Sequence, residues 1–432
     1  MAGSNTQPAA AAGSTVWRRE GIARIMPETP ILSTYLDPSH IALVERVEQF
    51  ALREIEPRAA EQADYIPQAF DFLKRIAAEG LVRYVVPAAY GGVHPHLDIR
   101  SLCLIRQGLA RHSALADTMF AMQGLGSCPI TIAGSEEQKQ RFLPKVARGE
   151  AVAAFALTEP EAGSDAAAVQ TTARREGNEY RLDGNKRFIS NAGIAAFYVV
   201  FAKTDPAQGR KGISAIVVEK DRAGLTTRAQ EVMAPHPIGE MVFNNCRVPL
   251  ENRLSAEGEG YSILLRTLES FRTTVGAAAL GMGERALTEA ASYSKTRVQF
   301  GKTLSEFQGL RFGLAEMATE LEAARLLVYQ AAWSLDYARK TGVSGGVPGG
   351  ISGSGAAKGA ERALILSSSM AKLFATEAAQ RVIDRALQMH GGLGVLKGTV
   401  VERLYREIRA LRVYEGTSEI QKEIIAHQIL KS

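Results

Sequence analysis

The residues best suited to chemistry fall in five short segments of the chain. The last of them, RVYEGTSEIQ at Arg412–Gln421, places the carboxylate of Glu415 in a turn between two helical stretches. A carboxylate becomes a better base for removing a proton from carbon when burial in an apolar pocket raises its pKa. Thr417 and Glu419 open the final helix, whose N-terminus suits a bound phosphate group. The segments are Ala156–Asp165, Lys186–Gly193, Arg297–Lys302, Gln388–Gly394 and Arg412–Gln421.

Two other strings match catalytic motifs in the wrong context. The sequence GVSGG at Gly342–Gly346 has the pattern of a nucleophile elbow, but it lies in a Gly/Ser-rich stretch after a helix, whereas an elbow needs a preceding strand. Gly301–Thr303 ends like a phosphate-binding loop, yet Thr296 stands where the first glycine is required. Neither a serine hydrolase nor a nucleoside triphosphatase is therefore expected.

The sequence contains no strong metal or dinucleotide motif. Gly391, Gly392 and Gly394 follow a helix and give only a fragment of a dinucleotide fingerprint. The 7 histidines never fall at metal-binding helical spacing, and the 3 cysteines form no Cys-x-x-Cys pair. The expectation is a reduced, cytoplasmic protein without a metal. The acid-free stretch 1–19 leaves the mitochondrial matrix as the alternative.

Length and composition favour a globular protein of several domains. A chain of 432 residues, 46% of them hydrophobic, is long enough for roughly two to three cores. Its net charge of +5 is small and spread along the chain, so a nucleic acid is not the expected partner. No apolar run approaches the roughly 20 residues that a membrane span requires.

The pattern of apolar residues predicts helices, then strands, then helices, which is an α+β multi-domain fold. Asp37 with Pro38 suits the start of the first helix, and Ser135 with Gln138 forms a capping box that starts another. In the middle region the period changes to two, and Asp183-Gly184 is predicted to be a hairpin turn in a compact antiparallel barrel or sandwich. The predicted units are a flexible tail at 1–36, a helical domain at 37–150, a β-barrel or sandwich domain at 151–260, and a helical domain at 261–432. Within the last domain, helices are predicted near 262–294, 308–340, 361–389 and 400–413, with a flexible Gly/Ser loop at 341–358.

Taken together and in this order, the five segments resemble the acyl-CoA dehydrogenase flavoprotein family, over residues 38 to 430. The resemblance implies that family's fold, with a four-helix-bundle-like C-terminal domain. It implies an enzyme with FAD as cofactor that oxidises an acyl-CoA to its 2,3-enoyl-CoA. It further implies an electron-transferring flavoprotein as electron acceptor and a homotetramer built as a dimer of dimers.

The resemblance also assigns roles around the substrate. Glu415 is the implied base for the α proton, while flavin N5 takes the β hydride. Some relatives carry the base on the helix near 262–294, where the matching residue here is Phe271, which cannot accept a proton. Arg272 is expected near the reaction centre and Glu269 around the substrate; the alternative is that the two form a surface ion pair. The implied substrate residues are Ser164, Asp117, Glu269, Phe271 and Tyr414.

The FAD site implied by the resemblance draws on all five segments. Leu157 and Thr158 are expected at the isoalloxazine ring with Phe188 and Ser190 against it, and the alternative for Phe188 is an ordinary core residue. Gly163 would permit close approach, so that Ser164 faces the pyrophosphate or the thioester. Residues implied to reach the FAD of a neighbouring subunit are Arg297, Gln299, Phe300, Gln388, Gly391 and Gly392. Thr417 and Glu419 are expected over the pyrophosphate and adenosine part.

The acyl group itself is not specified by the sequence. Asp117 stands in a stretch that matches the wall of the acyl pocket. Pointing inward, it would suit a hydroxylated, cyclic or otherwise polar acyl group; pointing outward, it would be a surface acid. Within the fold, the alternatives are an oxidase or monooxygenase that uses O₂ and a dehydrogenase of carrier-protein thioesters. The alternative of another class, a flavin-bearing nucleic-acid-binding stress protein, would be expected to add a basic surface or extension.

Overall fold

Helices form the first part of the protein in the computed structural model, which describes residues 32–341 and 355–430. The Asp37 cap starts α2 as predicted, and the Ser135 hydroxyl accepts from the Gln138 backbone N–H at the start of α6 in the predicted capping box. The helices are α1 (Leu32–Tyr35), α2 (Pro38–Phe50), α3 (Ile66–Ala78), α4 (Ile99–His112), α5 (Ala114–Ala133) and α6 (Glu136–Ala147).

One mixed sheet forms the middle of the molecule. Its strands are β1 (Ala153–Ala156), β2 (Thr172–Glu176), β3 (Glu179–Ser190), β4 (Phe197–Lys203), β5 (Ile213–Glu219), β6 (Leu225–Ala229), β7 (Ile238–Pro249) and β8 (Arg253–Leu254). Their order is β6-β7-β3-β2-β4-β5-β8, with β1 also paired to β4. The described strands close no barrel, and β1 and β2 run parallel to β4, so the fully antiparallel prediction is wrong. A period of two fixes which residues face the core, but it carries no information about strand direction.

The predicted hairpin at Asp183-Gly184 is also wrong. Strand β3 continues through this dipeptide, where its pairing with β7 shifts register between Leu182 and Gly184. Gly184 has φ +146°, and a Cβ there would lie 2.6 Å from the Thr171 hydroxyl. The dipeptide therefore forms a β-bulge, a second structure that Asp-Gly favours. The hairpin between β2 and β3 instead turns at 177–178.

The last part of the protein is helical. Its elements are α7 (Gly260–Thr296), a small hairpin of β9 (Val298–Gln299) and β10 (Lys302–Thr303), α8 (Gln308–Thr341), α9 (Gly355–His390), α10 (Val400–Leu411) and α11 (Ser418–Leu430). Helix α7 packs against α4, α8 and α9. Gly281 makes the contact with α4 possible, because a Cβ at this position would lie 2.1 Å from the Gln107 carbonyl oxygen. The N-terminal helices thereby share a core with the C-terminal ones.

Two predicted flexible segments lie mostly outside the described residues, which omit 1–31 and 342–354. Within the described part, residues 32–35 form α1 and residues 355–358 belong to α9. The predicted tail and loop were therefore too long at these two places. The alanine content of 355–358 continues the helix beyond the Gly/Ser run, in keeping with the high helix propensity of alanine.

Glu407 on α10 provides a test of the packing of this helix. Its side chain is buried, and burial raises its pKa to about 7, although Arg403 lies 3.7 Å away. A carboxyl whose pKa is raised by folding contributes stability below its unfolded pKa, and this contribution is lost as the pH rises through about 7.

The free energy of unfolding of the parent should fall between about pH 5 and about pH 8, and Glu407→Gln should remove this fall. At about pH 8 the variant should be about 2 kcal/mol more stable than the parent. Urea unfolding at both pH values measures this difference. Glu402→Gln on the same helix is the control, since the pKa of Glu402 is lowered and the residue is ionised throughout this range. Equal pH slopes for the parent and Glu407→Gln would contradict the assignment.

Candidate active site

Glu415 lies in a tight turn between α10 and α11. Two consecutive residues adopt left-handed backbone conformations, with φ +53° at Glu415 and φ +89° at Gly416. The Lys372 ammonium on α9 donates to the Gly416 carbonyl over 2.7 Å, and the Gln421 amide on α11 donates to the same oxygen over 3.1 Å. A left-handed glutamate is uncommon and costs energy, so it persists only when its surroundings hold it.

The carboxyl group of Glu415 is enclosed. The residue as a whole is partly exposed, but its Oε2 is fully buried and has no hydrogen-bond partner among the described residues. Burial raises the pKa of Glu415, and the positive charges of Arg106, Lys372 and Arg272 oppose that rise. A carboxylate in this environment is a stronger base than one in water, yet it remains ionisable.

Helix α7 places three predicted residues beside this turn. Glu269 is 5% exposed and Arg272 is 8% exposed, and no ion pair joins them within the described chain, so the surface-pair alternative is wrong. Glu269 Oε1 and Arg272 Nε are both buried without a hydrogen-bond partner, and burial raises the pKa of Glu269 to about 7. A buried polar atom without a protein partner is open to a hydrogen bond with water or a ligand. Phe271 is buried against Gly124.

Asp117 is buried on α5 and does not lie on the surface. Arg106 of α4 binds it through two hydrogen bonds, Nε to Oδ1 over 2.9 Å and Nη2 to Oδ2 over 2.8 Å. The third guanidinium nitrogen donates to the Thr274 hydroxyl of α7 over 3.0 Å. Tyr414 lies against Arg106, and burial raises the pKa of its hydroxyl. The Asp117 carboxylate is thus satisfied by the protein itself.

The sheet brings the first two segments together through a buried lysine. Lys186 Nζ donates to Glu159 over 2.7 Å, to the Leu157 carbonyl over 2.9 Å and to the Phe201 carbonyl over 2.7 Å. The backbone N–H that follows Lys186 donates to the Thr158 carbonyl over 2.8 Å. Leu157 and Thr158 are therefore fixed beside the strand that carries Phe188 and Ser190.

Phe188 is not a core residue, since 51% of it is exposed and its φ is +55°. The Arg187 guanidinium lies 4.9 Å from the centre of its ring. Two residues further on, the Ser190 hydroxyl lies 2.7 Å from Nε2 of His236, whose pKa is lowered to about 4 by burial. On the neighbouring loop Gly163 and Ser164 are exposed, and no atom lies within 4 Å of a Cβ built at Gly163.

The segments predicted to reach a second subunit lie on the surface of this chain. Phe300 is 94% exposed with φ +52°, and Val395 and Leu396 after α9 are 70% and 59% exposed. The other residues predicted to reach a second subunit are also exposed, namely Arg297, Gln299, Gln388, Gly391 and Gly392. Of the two residues predicted over the pyrophosphate and adenosine part, Glu419 is exposed and Thr417 is partly exposed. Large apolar side chains in such exposed positions indicate a surface that another molecule covers.

Sequence reasoning missed four residues that shape the site, namely Arg106, Lys186, His236 and Lys372. Lys186 carried a usable signal, because it falls on the buried face of β3 in the period-two pattern. The other three gave none, since on the sequence alone each is an ordinary polar residue. Within the described residues, no group of three or more His, Cys, Asp or Glu side chains is placed to hold a metal, and no helix is long and apolar enough to cross a membrane.

Three family models match nearly the whole chain. They are the N-terminal domain of acyl-CoA dehydrogenase at residues 37–150, the middle domain at 154–246 and the C-terminal domain at 258–430. This order of domains is that of a family of flavoprotein oxidoreductases. The chain belongs to the acyl-CoA dehydrogenase family, which confirms the resemblance and the fold class.

Individual relatives agree with this assignment. An acyl-CoA dehydrogenase of Bacillus subtilis is 38% identical over 402 residues, covering 92% of this chain and 99% of that protein. A 3-(aryl)acrylate reductase of Clostridium sporogenes is 37% identical over 401 residues, covering 92% and 100%. The solved acyl-CoA dehydrogenase of Bacillus anthracis, complexed with FAD, has a TM-score of 0.82 and 33% identity, covering 95% of this chain and 69% of that one.

The Lys186–Glu159 pair yields a prediction. Both side chains are buried, so Lys186→Met leaves a buried carboxylate without its partner and should cost about 3 kcal/mol or more of unfolding free energy. Chemical denaturation measures the loss. The double variant Lys186→Met/Glu159→Gln should recover part of it, because no unpaired charge remains. A single variant as stable as the parent would show that the pair is not needed to fasten the two segments.

Proposed function

We propose that this protein is an FAD-dependent acyl-CoA dehydrogenase that forms a 2,3-enoyl-CoA, with Glu415 as the base that takes the α proton. The observation that carries the proposal is the buried Glu415 Oε2, which has no partner among the described residues and lies on a left-handed turn held by α9 and α11. A surface glutamate at a helix end would have neither feature.

The residues around Glu415 suit the handling of a thioester. Burial raises the pKa of the carboxyl group and so makes the carboxylate more basic, while the positive charges of Arg106, Arg272 and Lys372 limit this rise, so that the group can still lose its proton. The unpartnered polar atoms of Glu269 and Arg272 are available to a polar ligand, which in this proposal is the CoA thioester. Positive charge near the thioester oxygen stabilises the enolate-like charge that develops as the proton leaves.

The residues present also fit FAD. Leu157 and Thr158, with the exposed ring of Phe188 and the hydroxyl of Ser190, offer an apolar face and a hydrogen-bonding group suited to a flavin ring. The open space at Gly163 beside Ser164 suits the pyrophosphate. Bound FAD supplies the acceptor for the β hydride.

The proposal extends to assembly and partners. The exposed Phe300, Val395 and Leu396 support a homo-oligomer, which we propose to be a tetramer in which Arg297, Gln299 and Gln388 reach the FAD of a neighbouring copy. An electron-transferring flavoprotein is the proposed acceptor. The buried free thiols, with the scattered cysteines, support a cytoplasmic location.

We expect Glu415→Gln to retain FAD but to lose anaerobic bleaching of the flavin by acyl-CoA, by about 10³-fold or more in rate. Gln keeps the shape of the side chain and removes its basicity. The flavin absorbance after mixing with substrate in the absence of O₂ measures this, and Glu423→Gln, an exposed acid on α11, is the control. Undiminished bleaching would move the base elsewhere, with Glu269 the first candidate.

The Arg106–Asp117 pair bears on the substrate. It is buried between α4, α5 and α7, and its charge acts on both Tyr414 and Glu415. A long apolar acyl chain that reached this pair would have to lie against charged groups without hydrating them, which is unfavourable. We therefore propose that the substrate carries a short acyl group.

Replacing both charges tests the length preference. Arg106→Leu/Asp117→Leu should raise kcat/KM for octanoyl-CoA relative to butyryl-CoA by about tenfold or more, since an apolar wall replaces a charged one. Asp117→Leu alone is the comparison, and it should unfold more easily because Arg106 is left buried without its partner. If the double variant has the same ratio of kcat/KM values for the two substrates as the parent, the pair does not select the acyl length.

A further inference from the structure

Two lysines, Lys186 and Lys372, are completely buried in the described part of the chain. Lys186 forms an ion pair with Glu159 at 2.7 Å. Lys372 has no carboxylate within ion-pair distance among the described residues, and its one described hydrogen bond is to the Gly416 carbonyl. Because a buried ammonium without a close counter-ion is costly, a role for Lys372 must be sought in what it touches.

Lys372 touches the turn that presents Glu415. Gly416 is the second of two left-handed residues just before α11, and its carbonyl accepts hydrogen bonds from Lys372 and from Gln421. A Cβ at position 416 would lie 2.5 Å from the Gln421 amide nitrogen, so the turn and its two donors fit closely. Loss of one donor leaves the other in place, which makes their contributions separable.

Lys372 also brings charge to the site. Its pKa is lowered to about 8 by burial, with Glu415, Glu377 and Glu419 favouring its charged form and Arg272 opposing it. Around Glu415 itself the facing charges are Arg106, Lys372 and Arg272, which favour the carboxylate, and Asp117, which disfavours it. Below about pH 8 the ammonium therefore stabilises the carboxylate form of its neighbour.

We infer that Lys372 is a positioning residue for the base: it fixes the Glu415 turn through the Gly416 carbonyl and supplies the positive charge that keeps the Glu415 carboxylate ionised. This inference rests on the proposed function, in which Glu415 takes the substrate proton. It assigns two separable tasks, one to the hydrogen bond and one to the charge.

Two substitutions separate the tasks. Lys372→Gln retains a hydrogen-bond donor and removes the charge, whereas Gln421→Met removes the other donor to the same carbonyl and leaves the charge. The measurement is the rate of anaerobic flavin reduction by butyryl-CoA between about pH 6 and about pH 9. In the parent protein this rate should rise with pH as Glu415 loses its proton.

Lys372→Gln should shift the rising part of this profile upward by about one pH unit, because the positive charge of Lys372 acts to lower the pKa of Glu415 and this action is lost. Gln421→Met should lower the rate at every pH without shifting the profile. Lys372→Arg should keep the profile where it is in the parent. Lys372→Met, which loses both the charge and the donor, should show the shift and the greater loss of rate.

A profile that does not move in Lys372→Gln, or a rate that is unchanged in Lys372→Met, would overturn the inference. Retained FAD absorbance in each variant shows that the chain has folded, and if Lys372→Met does not fold, Lys372→Gln alone decides the charge effect. Glu415→Gln, measured alongside, distinguishes the two levels of failure. If the flavin of Glu415→Gln is still bleached, the proposed base is wrong. If it is not bleached and the pH profile of Lys372→Gln is the same as that of the parent, only the role of Lys372 is wrong.

Discussion

A carboxylate that acts as a base inside a pocket has to be desolvated and yet remain ionisable, and the surroundings of Glu415, the proposed base, meet both conditions. The desolvation comes from the packing of α7 against α4 and α9 around the turn before α11. The ionisable state depends on Arg106, Arg272 and Lys372, one from each of these three helices. No single element supplies both conditions. The helical domains at the two ends of the chain must therefore share one core.

Buried lysines serve as anchors on both sides of the site. Lys186 binds the Leu157 carbonyl from the sheet, and Lys372 binds the Gly416 carbonyl from the helical bundle. A lysine ammonium has three hydrogen-bond donors and no acceptor, and its side chain is long and flexible. It can therefore bind backbone carbonyl groups in irregular segments, which have no regular hydrogen bonds of their own. Both segments are the ones that lie next to the proposed reacting groups. The hydrogen bonds of the two ammonium groups offset part of the cost of burying them.

Local patterns in the sequence predicted the elements well and their assembly poorly. The Asp37 and Ser135 caps and the position of Glu415 in a turn before the last helix follow from short-range rules, and the structure has them. The Asp183-Gly184 dipeptide was misassigned because the same residue pair suits a turn and a bulge, and only the pairing of β3 with β7 selects the bulge. The parallel direction of β1 was not predicted because the alternation of apolar residues is the same in parallel and antiparallel strands.

The polar partners of the site were beyond the reach of sequence patterns for a physical reason. Arg106 and Lys372 are buried only because helices far apart in the chain enclose them, and on sequence alone each is an ordinary charged residue on a helix. The resemblance identified the segments that carry chemistry, but it gave no means of telling that Asp117 is already paired with a guanidinium.

The geometry around Glu415 suits both directions of the proposed reaction, desaturation of a thioester and reduction of the double bond. A carboxylate that takes the α proton during desaturation returns it to the same carbon during reduction of the double bond, since the forward and reverse reactions share one transition state. Substitutions in the pocket therefore change the rates of both directions together. The net direction then depends on the reduction potential of the electron donor or acceptor and not on the pocket, because a catalyst does not change an equilibrium constant.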